Sequence, residues 1–100
     1  MTETFAAGDY FIDVHYNWDA NQDNADFYSE VTLDASLIGD THIQEIKEKG
    51  RTQYIPAFRR FKATLTAASH TIKLNYKSGD GVLEARISSA SITVTKINIL

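Results

Sequence analysis

Positions 5–16 and 65–76 carry the same alternation of apolar and polar residues, without a gap, sixty residues apart. Each copy opens on small residues and then sets Tyr10/His70, Ile12/Ile72, Val14/Leu74 and Tyr16/Tyr76 on one side of the chain, with mostly polar residues between them. A period of two marks a half-buried strand, because successive Cβ atoms of an extended chain point to opposite faces. Two such strands, each entered from a tight turn, predict two sheets that contribute equivalent elements to one core.

The remaining pattern is also strand-like. The chain predicts strands over 9–18, 27–33, 42–47, 57–65, 70–76, 82–87 and 90–100, separated by a polar loop at 19–26 and turns at 37–40, 48–51 and 77–81. Trp18 falls at a strand end as a core residue. In the 57–65 strand, Ala57, Arg59, Phe61, Ala63 and Leu65 share one face, and Phe58, Arg60 and Lys62 the other. Ile55-Pro56 places a proline before it, where its missing N–H suits a strand start or a sheet edge. No segment has the 3.6-residue period of an amphipathic helix. Seven or eight strands with turns about every ten residues predict an all-β fold, an antiparallel β-sandwich of jelly-roll-like type, forming a single domain over residues 1–100.

Composition removes several supports for that fold. With 100 residues and no cysteine, the chain has neither disulfides nor thiolate metal sites, so packing alone must hold it. The opening residues lack a basic stretch followed by an apolar run, and no stretch reaches membrane-spanning length, so neither an export signal nor a membrane partner is expected. Charge is distributed unevenly. Positions 1–46 hold ten Asp/Glu and no Lys or Arg, whereas 47–100 hold ten Lys/Arg against Glu48, Asp80 and Glu84, giving halves of −10 and +7 within a net charge of −3. A nucleic-acid binder would present a basic face without an equal acidic one. The asymmetry instead predicts pairing of acidic with basic strands, either within a subunit, with Asp13 and Lys73 as candidates, or between subunits, where it would set register.

Candidate chemistry is sparse. Asp19, Asn21, Asp23 and Glu30 occupy positions 1, 3, 5 and 12 of a calcium-loop spacing. Asn24 stands where that motif has glycine and Asp26 where it has an aliphatic residue, which leaves a weak calcium site on a β-loop, or a plain solvated loop, as the readings. No other cofactor is expected. His15, His42 and His70 have no zinc-ligand spacing, and His70, in the place of Tyr10, is expected to be a packed, hydrogen-bonded side chain, with a pH-sensing role as the alternative. Ser69 beside His70 lacks a nucleophile elbow, and thirteen acids offer chance carboxylate pairs without a signal, so no catalytic residues are assigned and the protein is expected to be non-enzymatic. Tyr54, Phe58, Arg59 and Arg60 form an aromatic and basic group with too few cations for nucleic acid; such residues are favoured at protein interfaces. Trp18, Tyr28 and Tyr54 are alternative stacking platforms for sugar rings.

The 65–76 segment, with its leucine, small-residue turn and His70-Thr71-Ile72, and the 84–97 run of small residues closing in an aliphatic strand and a basic residue, resemble small β-sandwich virion proteins of tailed bacteriophages. Positions 26–34 and 43–45 share the likeness, and Ala68 departs from it where that pattern often has glycine. The resemblance implies a structural protein of the virion, assembled in the host cytoplasm, with a capsid decoration or cement protein as the first expectation. Its implied partners are itself, as a homo-oligomer such as a trimer, and the major capsid or tail protein. A tail or fibre component, or a carbohydrate-binding module for host recognition, is the alternative expectation.

Overall fold

The computed structural model describes residues 1–20, 24–46, 54–79 and 85–98. These form seven strands and no helix: β1 (Thr2–Phe5), β2 (Gly8–Ala20), β3 (Ala25–Leu33), β4 (Ser36–Ile46), β5 (Ile55–Leu65), β6 (Ala68–Ser78) and β7 (Ala85–Lys96). They make two sheets, one of four strands in the order β1-β6-β3-β4 and one of three in the order β5-β2-β7. All pairings are antiparallel. The two echoing segments are thus β2, at the centre of the three-stranded sheet, and β6, in the four-stranded one.

The sheets face each other in a sandwich-like arrangement. Inward side chains of β2, namely Ile12, Val14, Tyr16, Trp18 and Ala20, meet Phe27 and Val31 of β3 and Ile72 of β6 in one buried cluster. Burial of each large apolar side chain contributes about 1.5–3 kcal/mol. Two polar tips inside this core are satisfied across the sheets, as burial requires: the Tyr16 and Ser29 hydroxyls are bonded at 2.6 Å, and Trp18 Nε1 donates to Gln44 Oε1 at 2.7 Å. The Trp18 ring stacks on Phe27 with centroids 4.8 Å apart. Burial raises the Tyr16 phenol above its usual range, against the Ser29 hydrogen bond and the Arg59 charge.

Several boundaries differ from those the residue pattern predicts. The turn expected at 37–40 lies at Asp34-Ala35, between the partners Leu33 and Ser36, with both turn residues in the left-handed region (φ 50° and 69°). This is the geometry of a type I′ hairpin, which matches the twist of its strands. Leu37 to Asp40 are strand residues; Gly39 (φ 66°) sits in an irregularity where β4 has extra residues opposite Glu30. A Cβ on Gly39 would lie 2.5 Å from the Phe61 ring, so glycine is needed there twice over. The expected break before 90 is a bulge within the single strand β7, opposite Tyr16 and centred on Ser89 (φ 55°). β1 was not legible; it adds a short strand beside β6. The 48–51 turn and Val82 to Glu84 lie outside the described residues.

The echo is equal in register but not in depth. Tyr10, Ile12, Val14 and Tyr16 are all buried, and so is Ile72, whereas His70 and Leu74 are half-buried and Tyr76 is 48% exposed. Beyond Ile72, β6 has β3 on one side only, because β1 pairs no further than Thr71. Asp13 and Lys73 lie in different sheets, so the pair expected between them does not form: Asp13 sits opposite Arg60 and Lys73 opposite Thr32.

Candidate functional site

Strand alternation sends Asp9, Phe11, Asp13 and His15 of β2 to the outer face of the three-stranded sheet, beside Thr64, Lys62, Arg60 and Phe58 of β5. On the other flank lie Thr95, Thr93 and Ser91 of β7. Phe58 is the most exposed large apolar side chain of the described residues, at 59%, and its cross-strand partner His15 is exposed beside it. Arg60 lies over the Phe11 ring, 4.6 Å from its centroid, and grips both oxygens of Asp13 at 2.6 and 3.1 Å. The Arg60 hydrogen bonds hold the Asp13 carboxyl below the usual range, and Asp13 raises Arg60 in return.

The central charges of this face, Asp13 and Arg60, are therefore paired within the subunit, while Lys62 stands exposed opposite Phe11. Asp19, buried at the far end of β2, accepts from Arg86 of β7 at 2.7 Å, and Asp9 accepts from the Thr64 hydroxyl at 2.6 Å. The acidic first half and basic second half meet because the acidic β2 runs between β5 and β7. What remains outward is Lys62 and an aromatic patch, Phe58 and His15 with Phe11 partly covered by Arg60, bordered by hydroxyls.

The four residues expected to act as one interface group divide between the two faces. Phe58 and Arg60 point outward; Tyr54, exposed, precedes β5. Arg59, opposite Val14, points inward and spans the open side of the sandwich, where it donates to the Asp40 carbonyl at 2.7 Å and lies 4.8 Å from the Phe61 ring centroid. Its charge assists burial in holding His42 below its ordinary value, with burial the larger cause. Arg59 is thus a brace between β5 and β4. His15 and Phe11 were missed as members of the patch; the signal lay in the β2 alternation, whose outward residues are not all polar.

Of the calcium-spaced residues, Asn21 and Asp23 lie outside the described residues. Asp19 is committed to Arg86, and Glu30, in the middle of β3 in the other sheet, accepts from the Thr41 hydroxyl at 2.8 Å. The structure does not bring Asp19 and Glu30 together, and among the described residues no group of three His, Cys, Asp or Glu side chains is placed to hold a metal. One Asp19 oxygen, Oδ1, is buried without a partner among the described residues.

A concavity of about 300 Å³ lies on the four-stranded sheet, lined by Tyr28, Glu30, Thr41, Asn75, Tyr76 and Lys77. Lys77 Nζ stands 5.7 Å from the Tyr28 ring centroid, and Gly79 packs so closely on Tyr28 that a Cβ there would lie 2.6 Å from the ring. Of the other two expected sugar platforms, Trp18 is fully buried and Tyr54 is exposed ahead of β5. No helix among the described residues is long and apolar enough to cross a membrane. No family model, curated protein or solved structure matches this chain.

Proposed function

We propose that this chain is a non-enzymatic structural protein of a bacteriophage virion, a decoration module that self-associates, as a homotrimer, and docks on the capsid. The observation that carries the reading is the outer face of β5-β2-β7, where Phe58 stands exposed beside His15 and the nearest charges, Asp13 and Arg60, are already paired inside the subunit. Such a face has little to attract a polyanion and much to gain from burial against protein, since desolvated aromatic and arginine side chains dominate interface energetics. The strand pairing favours the jelly-roll form of the sandwich: β3 with β4, β2 with β5 and β1 with β6 are nested like one long hairpin, and the β6–β3 contact rolls it up. β7 then adds beside β2.

Light scattering and sedimentation of the purified protein test the association. A defined oligomer at micromolar concentration, lost in Phe58→Asp, is the expected result. A monomer at high micromolar concentration, indifferent to salt, overturns it. Virion membership is tested separately by mass spectrometry of purified particles, and a capsid footprint by cryo-electron microscopy separates decoration from a tail or fibre position.

The concavity beside Tyr28 favours a second reading, a carbohydrate-binding module, because an aromatic ring next to a carboxylate and an amide suits vicinal hydroxyls. Glycan-array binding abolished by Tyr28→Ala supports it; a wholly negative array removes it.

A further inference from the structure

At the β1 end of the sandwich three turns and strands converge on one imidazole. His70 Nδ1 lies 2.6 Å from Asp34 Oδ2, in the β3–β4 turn, and Nε2 lies 3.0 Å from the carbonyl oxygen of Thr66, in the β5–β6 turn. The Phe5 ring of β1 packs on it with centroids 6.2 Å apart. A carboxylate and a carbonyl accept hydrogen bonds and donate none, so both ring nitrogens must carry a proton for both contacts to hold. Only the imidazolium does so.

We infer that His70 is a proton-operated clasp: as the cation it ties the Asp34-Ala35 turn to the Thr66 turn across β6, and on losing a proton it lets one of them go. The geometry also says which. Asp34 is anchored independently, since its Oδ1 accepts from the Thr71 N–H at 2.8 Å and its own N–H donates to the Thr71 carbonyl at 2.8 Å. A neutral ring that keeps Nδ1–H therefore keeps Asp34. Its bare Nε2 then faces the Thr66 carbonyl lone pairs, and the Thr66 hydroxyl, 3.3 Å away, is among the described residues the donor that can take its place. The contact released is the one to the Thr66 carbonyl.

The surrounding charges bear on the same proton. Asp34 faces the ring directly, and Glu3 of β1 stands opposite His70 in register; both favour the cation. The N-terminal ammonium, donating to the Ile72 carbonyl at 3.0 Å, and Lys73, further along β6, oppose it. Contact decides over distance: the Asp34 hydrogen bond, followed by that to Thr66, raises His70 above its ordinary 6.5, and His70 lowers Asp34. A raised histidine contributes stability that is fully present below its unfolded value and is lost as pH rises through the folded one.

Nitrogen-detected NMR of the full chain reads this directly. At acid pH both His70 ring nitrogens carry protons; the midpoint lies above the ordinary histidine value and above that of His42, and in Asp34→Asn it falls. Above the midpoint the remaining ring proton is on Nδ1. A wild-type midpoint at or below that of His42 overturns the clasp without recourse to any variant, as does a neutral form protonated on Nε2.

Discussion

β2 and β6 begin from one pattern and end in different mechanical roles. β2 is flanked on both sides along its length and covered by β3, so every member of its inward row is buried. β6 has the same row in the same phase, but only the four-residue β1 covers its outer flank, so Ile72 is buried while Tyr76, at the other end, is half in solvent. Alternation states which face a side chain takes; neighbours decide how deep it goes. Where packing thins on β6, polar devices take over: the left-handed Asp34-Ala35 turn, the Asp34–Thr71 bridge and the His70 clasp.

The strongest way to break this contrast is to truncate the matched tyrosines. Tyr16→Ala empties a fully buried site beneath Trp18 and Phe27 and is expected to cost about 3–5 kcal/mol, as large aromatic truncations do. Tyr76→Ala, which removes a half-exposed ring stacked on Phe27 at 5.6 Å, is expected to cost about 1 kcal/mol. Urea unfolding at unchanged m-value measures both, and equal costs would show that the two rows carry the same load. Removing only the hydroxyls sharpens the point. Tyr16→Phe strands the buried Ser29 hydroxyl and is expected to cost about 1–3 kcal/mol, whereas Tyr76→Phe is expected to stay within about 0.5 kcal/mol.

The next test moves to the turn that holds the β6 end. Ala35 adopts φ 69°, a conformation that crowds its Cβ against the following carbonyl and costs an L-residue about 1–2 kcal/mol. Ala35→Gly relieves that strain at the expense of a more flexible unfolded chain, and a net gain of up to about 1 kcal/mol is expected. A loss of stability by the same denaturation assay would mean that the Ala35 methyl group makes contacts that outweigh its backbone. Proton loss acts on the same end. Because His70 is raised in the folded state, the wild-type melting temperature should decline as pH is taken from 6 to 9, and His70→Gln should flatten that decline; His42, held low by burial, loses stability only on the acid side.

These tests also separate what the residues announced from what they concealed. Two sheets, antiparallel strands, the faces of β5 and the buried Trp18 were legible because each rests on a period-two run. The Asp34-Ala35 hairpin was not, since alanine gives no sign of positive φ, and Gly39 drew the turn to itself although it serves a strand irregularity under Phe61. Ser89 concealed a bulge in the same way, splitting one strand into two. Within the candidate site, Phe58 and Arg60 stood out as an aromatic and basic neighbourhood. His15 and Phe11 did not, because only the cross-strand register places them beside that pair. The charge split was legible as a demand for pairing, while its solution, Asp13 with Arg60 and Asp19 with Arg86, depended on which strands became neighbours.

The smallest stability effect is expected where the functional effect is largest. Phe58 is outward on β5, opposite His15, and its ring is mostly in water, so Phe58→Ser should change unfolding free energy by no more than about 0.5 kcal/mol. The pattern for the inward row is the reverse: Tyr16 variants should lose folding before they lose any association. If Phe58→Ser leaves the unfolding curve in place yet shifts sedimentation to the monomer, the outer face of β2 and β5 is a binding surface that packing does not need. If it destabilises the chain as Tyr16→Phe does, the ring is part of the fold's own support, and the contrast between the two faces of the three-stranded sheet fails with the assembly reading built on it.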